Sequence, residues 1–195
     1  MERVNEGSDA ELIKRFLKGD REALSELVDR HSKTAVRIAY TVLGNEADAY
    51  DAAQDAFVKV LRNLERFSGR SSFSTWLYRI VYNAAMDIGR KRRHFVQHKV
   101  DDDSDDPDVE AEAQNMREDG KEPMEQMLRQ ERAKSVRKCL ELLPQKYSVV
   151  IRFKDIEGLS YEEIATILGT TKGNVMSRLF YGREKLRALL EKEKI

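Results

Sequence analysis

Apolar residues recur every three or four positions through most of this chain, which is the spacing of amphipathic helices. The first apolar stripe follows a capping box that begins at Ser8, and it ends at Gly19. The second stripe follows Asp20, a predicted N-cap, and ends at Gly44. The third runs from Asn45, also a predicted N-cap, to about Leu64. The pattern therefore predicts three helices in the first third of the chain.

His31 lies on or beside the apolar stripe of the second predicted helix. No other metal-ligating residue is spaced with it in the way that a metal site requires. The position therefore favours a packed histidine, in the core or at its boundary, over a ligand.

Residues 67–93 join a loop of small polar residues, an amphipathic helix and a run of four cations at its end. One apolar stripe of the helix comprises Trp76, Leu77, Ile80, Val81, Ala84 and Ile88. A second face comprises Arg79, Tyr82, Asn83, Met86, Arg90 and Arg93. This second face is suited to neutralise phosphates, to stack on unpaired bases and to hydrogen-bond base edges. An ordinary solvated basic face is the alternative.

The periodicity stops between about residues 94 and 127. Residues 101–112 hold eight acids and no base, which predicts a disordered or extended linker. Four acids also have calcium-loop spacing: Asp101, Asp103, Asp105 and Glu112. Asp106 at the glycine position and the neighbouring Pro107 argue against calcium, and His94 and His98 lack a cysteine partner for zinc. The sequence therefore predicts no metal site and no cofactor.

Helical spacing returns at about Leu128 and continues, with a break at Pro144, to about Ile156. A capping box at Ser160 then opens a short helix, a glycine turn follows, and Lys172–Leu190 forms a longer helix. A short helix, a glycine turn and a second helix with basic outward residues are typical of a helix-turn-helix. A purely structural helical hairpin is the alternative.

Composition and charge place these elements in an all-helical protein with segregated charge. Charged residues make up 36% of the chain and aromatic residues 8%, and proline occurs three times. Residues 66–93 and 129–195 each carry a net charge of +6, whereas residues 94–128 carry −9. Two basic blocks separated by an acidic block indicate two nucleic-acid surfaces joined by a linker. The single cysteine, Cys139, and the lack of a signal peptide or membrane span predict a cytoplasmic protein.

The segment F-S-T-W-L-Y-R-I-V-Y-N-A-A-M-D-I-G-R-K-R-R resembles the promoter-melting helix of bacterial extracytoplasmic-function sigma factors, small two-domain specificity subunits of RNA polymerase. In that family the preceding loop takes up a base flipped from the minus-ten element. The resemblance implies minus-ten contacts from Phe67, Ser68, Gly69, Arg70, Ser71, Ser72, Phe73, Trp76, Arg79, Asn83, Arg90 and Arg93. The melting would be driven by binding energy rather than by covalent catalysis.

The segment D-A-Y-D-A-A-Q-D-A-F on the third predicted helix is similar to the family's polymerase-binding helix. The resemblance implies that five residues bind the clamp helices of the largest core subunit: Asp48, Asp51, Gln54, Asp55 and Phe57. Tyr50 replaces an acid that is usual in the family. On the acids alone, a solvated helix face is the alternative.

The helix-turn-helix segment is similar to the family's minus-thirty-five-binding domain. The resemblance implies contacts from Thr171, Lys172, Asn174, Met176, Ser177, Arg178, Phe180, Tyr181 and Arg183. Met176 and Tyr181 stand where the family commonly has basic residues, and Asn174 replaces a usual threonine. Fewer guanidinium groups mean fewer bidentate contacts to guanine.

The resemblance as a whole predicts an all-α protein with a region 2 domain at 8–94, an acidic linker at 95–127 and a region 4 domain at 128–195. It implies core RNA polymerase (the clamp helices and the flap), promoter DNA and an anti-sigma factor as partners. A conventional helix-turn-helix regulator is the alternative; it leaves the acidic stripe of the third helix and residues 67–93 without a role. An enzyme is disfavoured, because no phosphate-binding loop or nucleophile–base set is evident.

Overall fold

The computed structural model describes residues 7–99 and 123–193, with side chains placed for 7–92 and 131–193. Eight α-helices and no strand occur in these ranges, which confirms the predicted all-α fold. The α-helices are α1 (Asp9–Leu17), α2 (Arg21–Leu43), α3 (Glu46–Asn63), α4 (Phe73–Lys99), α5 (Pro123–Glu141), α6 (Gln145–Ile151), α7 (Tyr161–Leu168) and α8 (Lys172–Lys192). A 3-10 helix (Leu64–Arg66) follows α3, and a π-helical turn (Arg152–Ile156) follows α6. None of the described helices is long and apolar enough to cross a membrane.

Side-chain caps fix the starts of the first three helices at the predicted residues. Ser8 Oγ accepts a hydrogen bond from the Glu11 N–H at 3.3 Å. Asp20 and Asn45 likewise accept from backbone N–H groups in the first turns of α2 and α3. Gly44 ends α2 with φ of 74°, a left-handed conformation that suits glycine. Local sequence therefore sets the lengths of the helices that carry the candidate sites.

The chain divides into two compact units. The first comprises Met1–Asp101 together with Ala165–Thr170, and it contains α1 to α4. The second comprises Asp102–Ile164 together with Thr171–Ile195, and it contains α5, α6 and α8. A bundle of helices thus carries residues 67–92, and a separate unit carries the longer helix of the predicted helix-turn-helix.

The predicted linker, residues 95–127, overlaps the helices on either side of it. α4 covers residues 95–99 and α5 covers residues 123–127. The rest of the predicted linker lies outside the described residues, including Asp101, Asp103, Asp105 and Glu112. The side chains of His94 and His98 lie outside them too, and the domain boundaries stay predictions. Among the side chains that are described, no group of three or more His, Cys, Asp or Glu could hold a metal ion.

Small side chains bring α2, α3 and α4 together in the first unit. Seven alanines of α2 and α3 are at most 3% exposed: Ala23, Ala35, Ala39, Ala49, Ala52, Ala53 and Ala56. Larger side chains such as Leu27, Ile38 and Val60 fill the spaces between them and are equally buried. Each such large side chain contributes about 1.5–3 kcal/mol when it is fully buried. α3 is therefore held firmly against its neighbours, with its remaining faces free for other contacts.

His31 is buried in this unit, as predicted, and both of its ring nitrogens have partners. Nε2 lies 2.9 Å from Asp9 Oδ2, and Nδ1 lies 3.3 Å from the Tyr78 hydroxyl. Arg30 also donates to Asp9, at 2.8 Å. The imidazole meets the ring of Phe73 edge-on at 5.4 Å. This cluster ties α1 and α2 to the first turns of α4.

In the second unit, Gly182 allows α8 to approach α6 closely. A Cβ at this position would lie 3.1 Å from Ile151 Cδ1 and 3.2 Å from Tyr147 Cβ. The core comprises Val150, Phe153, Ile164, Val175 and Leu179, each at most 3% exposed. Thr171 caps α8, and its Oγ accepts from the Asn174 N–H at 3.2 Å; Gly169, with φ of 61°, precedes it in the turn between α7 and α8 along the chain. The packing thereby leaves one side of α8 directed to solvent.

Candidate nucleic-acid and protein interfaces

Three aromatic rings support the loop that precedes α4. The ring of Phe67 lies 5.1 Å from that of Trp76 and 5.9 Å from that of Phe73, and Phe73 and Trp76 are 6.0 Å apart. These separations are typical of favourable aromatic pairs. Phe73 is buried, whereas Phe67 and Trp76 are half-buried. Two ring faces therefore remain partly available at the surface.

The polar part of this loop is open to solvent but fixed at its end. Ser68, Gly69, Arg70 and Ser72 are exposed, and Ser71 is half-buried. Gly69 has φ of 69°, which allows the loop to turn sharply. Ser72 caps α4, because its Oγ accepts from the Thr75 N–H at 3.1 Å. The cap holds the loop at the base of the helix.

A cleft of about 450 Å³ lies between α3 and α4. Lys59 and Asn63 of α3 and Arg66 of the 3-10 helix form one wall. The other wall belongs to α4 and comprises Trp76, Ile80, Asn83, Ala84 and Asp87. The cleft therefore combines an indole ring, two amides, two cations and one carboxylate at one place.

The position of Trp76 corrects the predicted apolar face of α4. Leu77 and Val81 are fully buried, but Trp76, Ile80 and Ile88 are only half-buried. The core face is instead completed by Tyr78 and Ala85, which the predicted stripe omits. The reason is that α3 covers only part of the apolar stripe, so its edge opens into the cleft. Trp76 and Asn83, which the sequence assigns to different faces, consequently meet there.

Cations around the cleft are mostly without acidic partners. In the part of the chain whose side chains are described, Lys59, Arg66, Arg70 and Arg79 form no ion pair. Arg90 pairs with Asp87 on the next turn, and Arg92 lies 3.3 Å from Asp48. The side chain of Arg93 lies outside the described ones. Lys59 and Arg66 therefore line the cleft as cations without an ion pair and are suited to a phosphate backbone, whereas Asp87 in the other wall is paired with Arg90.

Sequence reasoning missed the α3 wall of this cleft. Lys59 and Asn63 are four residues apart, so they lie on one line of the helix, but their spacing alone indicates only a polar face. Arg66 appears in the charge total without an assigned role. Only the packing of α3 against α4 makes these three residues part of one site with Trp76.

The outward face of α3 carries exposed acids beside exposed apolar side chains. Asp51, Gln54 and Asp55 are exposed, and neither carboxylate forms an ion pair among the described side chains. Tyr50 and Val58 lie on the same side of the helix, with 55% and 44% of their surface exposed. These five residues fall within about 140° around the helix axis. Such a face is suited to a partner helix with both basic and apolar residues.

Asp48 and Phe57, the other two predicted polymerase contacts, are held differently. Asp48 accepts from the Asn45 side-chain amide at 2.7 Å and is the partner of Arg92. Phe57 is half-buried. Asp48 therefore also helps to close the start of α3 and to link it to α4.

The predicted minus-thirty-five residues lie together on α8 and at its N-cap. Eight of them are exposed: Thr171, Lys172, Asn174, Met176, Ser177, Phe180, Tyr181 and Arg183. Arg178 is half-buried. Val175 and Leu179 on the opposite side are buried in the core of the second unit. The longer helix of the helix-turn-helix thus presents its outward side, as a recognition helix does.

Two of these cations are bound to acids of the same unit. Lys172 Nζ lies 2.5 Å from Glu162 Oε1, and this hydrogen bond lowers the pKa of the Glu162 carboxyl and raises that of the Lys172 ammonium. Arg183 donates to both Asp155 oxygens, at 3.1 Å and 2.5 Å. The hydrogen bond to Asp155 raises the pKa of Arg183. The net positive field of α8 is accordingly weaker than its cation count indicates.

Two family models match the two parts of the chain that carry these sites. The model of Sigma-70 region 2 matches residues 27–95, which include the cleft and the outward face of α3. The model of Sigma-70, region 4 matches residues 133–186, which include α7 and most of α8. The order of the two regions is the one that the sequence predicts.

Similar proteins span the whole length of the chain. The RNA polymerase sigma-H factor of Pseudomonas aeruginosa is 33% identical over 191 residues, covering 96% of each chain. The ECF RNA polymerase sigma factor SigW of Bacillus subtilis is 34% identical over 178 residues, 91% of this chain and 94% of the relative. A solved structure of CnrH in complex with the cytosolic domain of CnrY has a TM-score of 0.67 and 27% identity, and it covers 95% of this chain and 99% of that one. The chain belongs to the extracytoplasmic-function family of RNA polymerase sigma factors.

Proposed function

We propose that this sigma factor holds an unpaired base of the minus-ten element in the cleft between α3 and α4. The composition of the cleft is the observation that carries this proposal. Trp76 offers a ring face for stacking, and Asn83 and Asn63 offer amides for hydrogen bonds. Lys59 and Arg66 line the same cleft and would neutralise the phosphates that flank the base. Binding a base there lowers the free energy of the melted state relative to the duplex, so the cleft promotes melting.

The exposed loop before α4 takes part in the same interaction. Its small side chains let a nucleotide approach the backbone, and the aromatic cluster beneath keeps the loop in place. Arg70 and Arg79 form no ion pair among the described side chains and are available for phosphates. Phe73 is buried, so its contribution is to support Phe67 and Trp76 rather than to touch DNA.

The outward face of α3 binds core RNA polymerase at the clamp helices of its largest subunit. Neither Asp51 nor Asp55 forms an ion pair within the described part of the chain. Tyr50 and Val58 add exposed apolar area beside them. Basic residues on a partner helix would complement them. Because α3 also forms a wall of the cleft, core RNA polymerase and the unpaired base contact the same helix.

The second unit places α8 in the major groove of the minus-thirty-five element. Thr171 and the exposed residues of the first turns lie at the end of the helix that enters a groove in helix-turn-helix proteins. The same unit is the part that we assign to the polymerase flap. The chain itself binds and positions; the polymerase performs the chemistry, so we assign no enzymatic activity to the sigma factor.

An anti-sigma factor and a cytoplasmic location complete the proposal. CnrH, which is similar to this chain over nearly all of its length, is seen in complex with the cytosolic domain of CnrY. A protein partner of that kind would compete with core polymerase for the exposed surfaces. The location follows from the work of the family, which acts on polymerase and promoter DNA.

Run-off transcription from a genomic promoter library, with purified core polymerase, tests the proposed function. We expect start sites that require the protein. The double substitution Asp51→Arg/Asp55→Arg should reduce transcription from these sites at least about tenfold, because it places like charges at a docking face. Glu22→Arg/Asp29→Arg makes the same charge change on α2, where both residues are exposed, and should retain the start sites. Footprints on duplex DNA without core, and no new starts, would move the assignment to a conventional regulator.

A further inference from the structure

The outward side of α8 carries three large side chains that the fold leaves in solvent. Met176, Phe180 and Tyr181 are 50%, 60% and 53% exposed. The rings of Phe180 and Tyr181 meet edge-on with centroids 5.4 Å apart, so each restrains the other. Met176 lies one turn before Phe180, on the same line of the helix. Exposed apolar groups arranged in this way indicate a binding surface.

Small residues beside this surface allow α8 to come close to a ligand. Gly173, Ser177 and Phe180 follow one another at the spacing of one helix face. Gly173 has no side chain, and Ser177 has a short one, so the first two turns can approach base edges in a major groove. The tips of Met176 and Phe180 would then be the groups that reach furthest.

The cations of α8 are poorly placed to read guanine. Lys172 and Arg183 are held by Glu162 and Asp155, and Arg178 is half-buried. Bidentate contact from arginine or lysine is the commonest specific reading of guanine. Exposed apolar tips therefore dominate the part of this helix that can face the bases.

We infer that Met176 and Phe180 select thymine in the minus-thirty-five element by contact with its C5-methyl group. That methyl is the apolar group that a base pair presents in the major groove, so it is the partner that exposed apolar tips can use for readout. Tyr181 holds the ring of Phe180 at the required angle. The inference rests on the proposed function, because it concerns how α8 reads the DNA that we assign to it.

Deoxyuridine supplies the test, since it keeps the base pairing and hydrogen-bond groups of thymine and lacks only the methyl. The promoter is one that the run-off experiment identifies, with each minus-thirty-five thymine replaced in turn. We expect binding by the complete holoenzyme to weaken about fourfold for each contacted methyl, from the transfer free energy of one such group. Unchanged binding at every thymine would overturn the inference while leaving the sigma-factor assignment intact.

Variants of the chain connect the effect to these residues. The ratio of the affinities for the thymine and the uracil promoter should fall to about one in Phe180→Ala, at the position that Phe180 contacts. Phe180→Leu should keep most of the wild-type ratio. Met176→Arg should lose its methyl dependence and gain salt dependence. Arg187→Ala, on an exposed position two turns further along, is the control and should keep the wild-type ratio. A ratio that Phe180→Ala and Met176→Arg both leave unchanged would assign the methyl readout to other residues and would also overturn the inference.

Discussion

Helices α4 and α8 both carry residues assigned to promoter DNA, but their surroundings differ. Around α4 the cations Lys59, Arg66 and Arg79 form no ion pair among the described side chains. On α8, Lys172 and Arg183 are each held by an acid of the same unit. Lys59, Arg66 and Arg79 can therefore meet a phosphate backbone directly, whereas Lys172 and Arg183 must first be released from their acids.

The aromatic residues of the two helices also differ in how far they are exposed. Trp76 is half-buried, packs against two other rings and lines a cleft. Phe180 and Tyr181 are exposed on a convex helix surface. A cleft with a ring wall suits the face of an unpaired base, and exposed tips suit the edges that a duplex presents. The difference supports the proposal that α4 binds melted DNA and α8 binds paired DNA.

The largest expected effect comes from removing the ring in the cleft. Trp76→Ala should reduce open-complex formation about tenfold to a hundredfold, the loss expected for one base–aromatic stack. Permanganate reactivity of unpaired promoter thymines, measured with holoenzyme, reports the melted fraction. Binding to a duplex that contains only the minus-thirty-five element should stay within about twofold, because the second unit is untouched.

Controls for this prediction separate stacking from folding. Trp76→Phe keeps a ring against Phe67 and Phe73 and should retain most melting activity. Met176→Ala should weaken promoter occupancy without changing the melted fraction of the bound complexes. If Met176→Ala lowers that fraction as much as Trp76→Ala does, the division between a melted-DNA helix and a duplex-DNA helix is wrong.

Local features of this fold could be predicted from the sequence, because they depend on nearby residues. The N-caps at Ser8, Asp20 and Asn45 and the turn at Gly169 are such features, since a short stretch of chain contains both partners. The buried position of His31 also followed from helical spacing. Helix existence and order were accordingly predicted correctly.

The candidate sites needed the tertiary structure, because their parts come from distant positions. Lys59 and Trp76 become walls of one cleft only when α3 packs on α4. The pair between Arg183 and Asp155 joins residues 28 positions apart, so the net charge of residues 129–195 could not show that this cation is bound. Family resemblance predicted which helices carry the candidate sites, but it could not give the state of each side chain.

Releasing a bound cation should make the second unit more like the first in the positive charge that it can offer to DNA. Asp155→Asn frees Arg183 from a bidentate partner, and duplex affinity for the minus-thirty-five element should rise about two- to fivefold, since an exposed ion pair contributes under about 1 kcal/mol. The salt slope should steepen by about 0.9 if the freed guanidinium meets a phosphate. Glu191→Gln removes one negative charge from an exposed position on the same helix and serves as the control. Equal gains in duplex affinity from both variants would indicate a general effect of the lost negative charge instead of the release of Arg183.

The smallest expected effect is a pH dependence from the pair of Glu162 and Lys172. The pKa of Glu162 is lowered in the folded chain, by its hydrogen bond to Lys172. The pair therefore contributes fully above the pKa of glutamate in the unfolded chain, and this contribution is lost as pH falls through the lowered value. Both side chains are exposed, so the change in melting temperature attributable to the pair should be at most about 1–2 °C. Thermal unfolding of wild type and Glu162→Gln between pH 7 and pH 3 measures it: the difference between them should be largest near neutrality and should vanish in acid. A constant difference across that range would mean that Glu162 acts through packing, and that Lys172 is as free to meet DNA as the cations of the cleft.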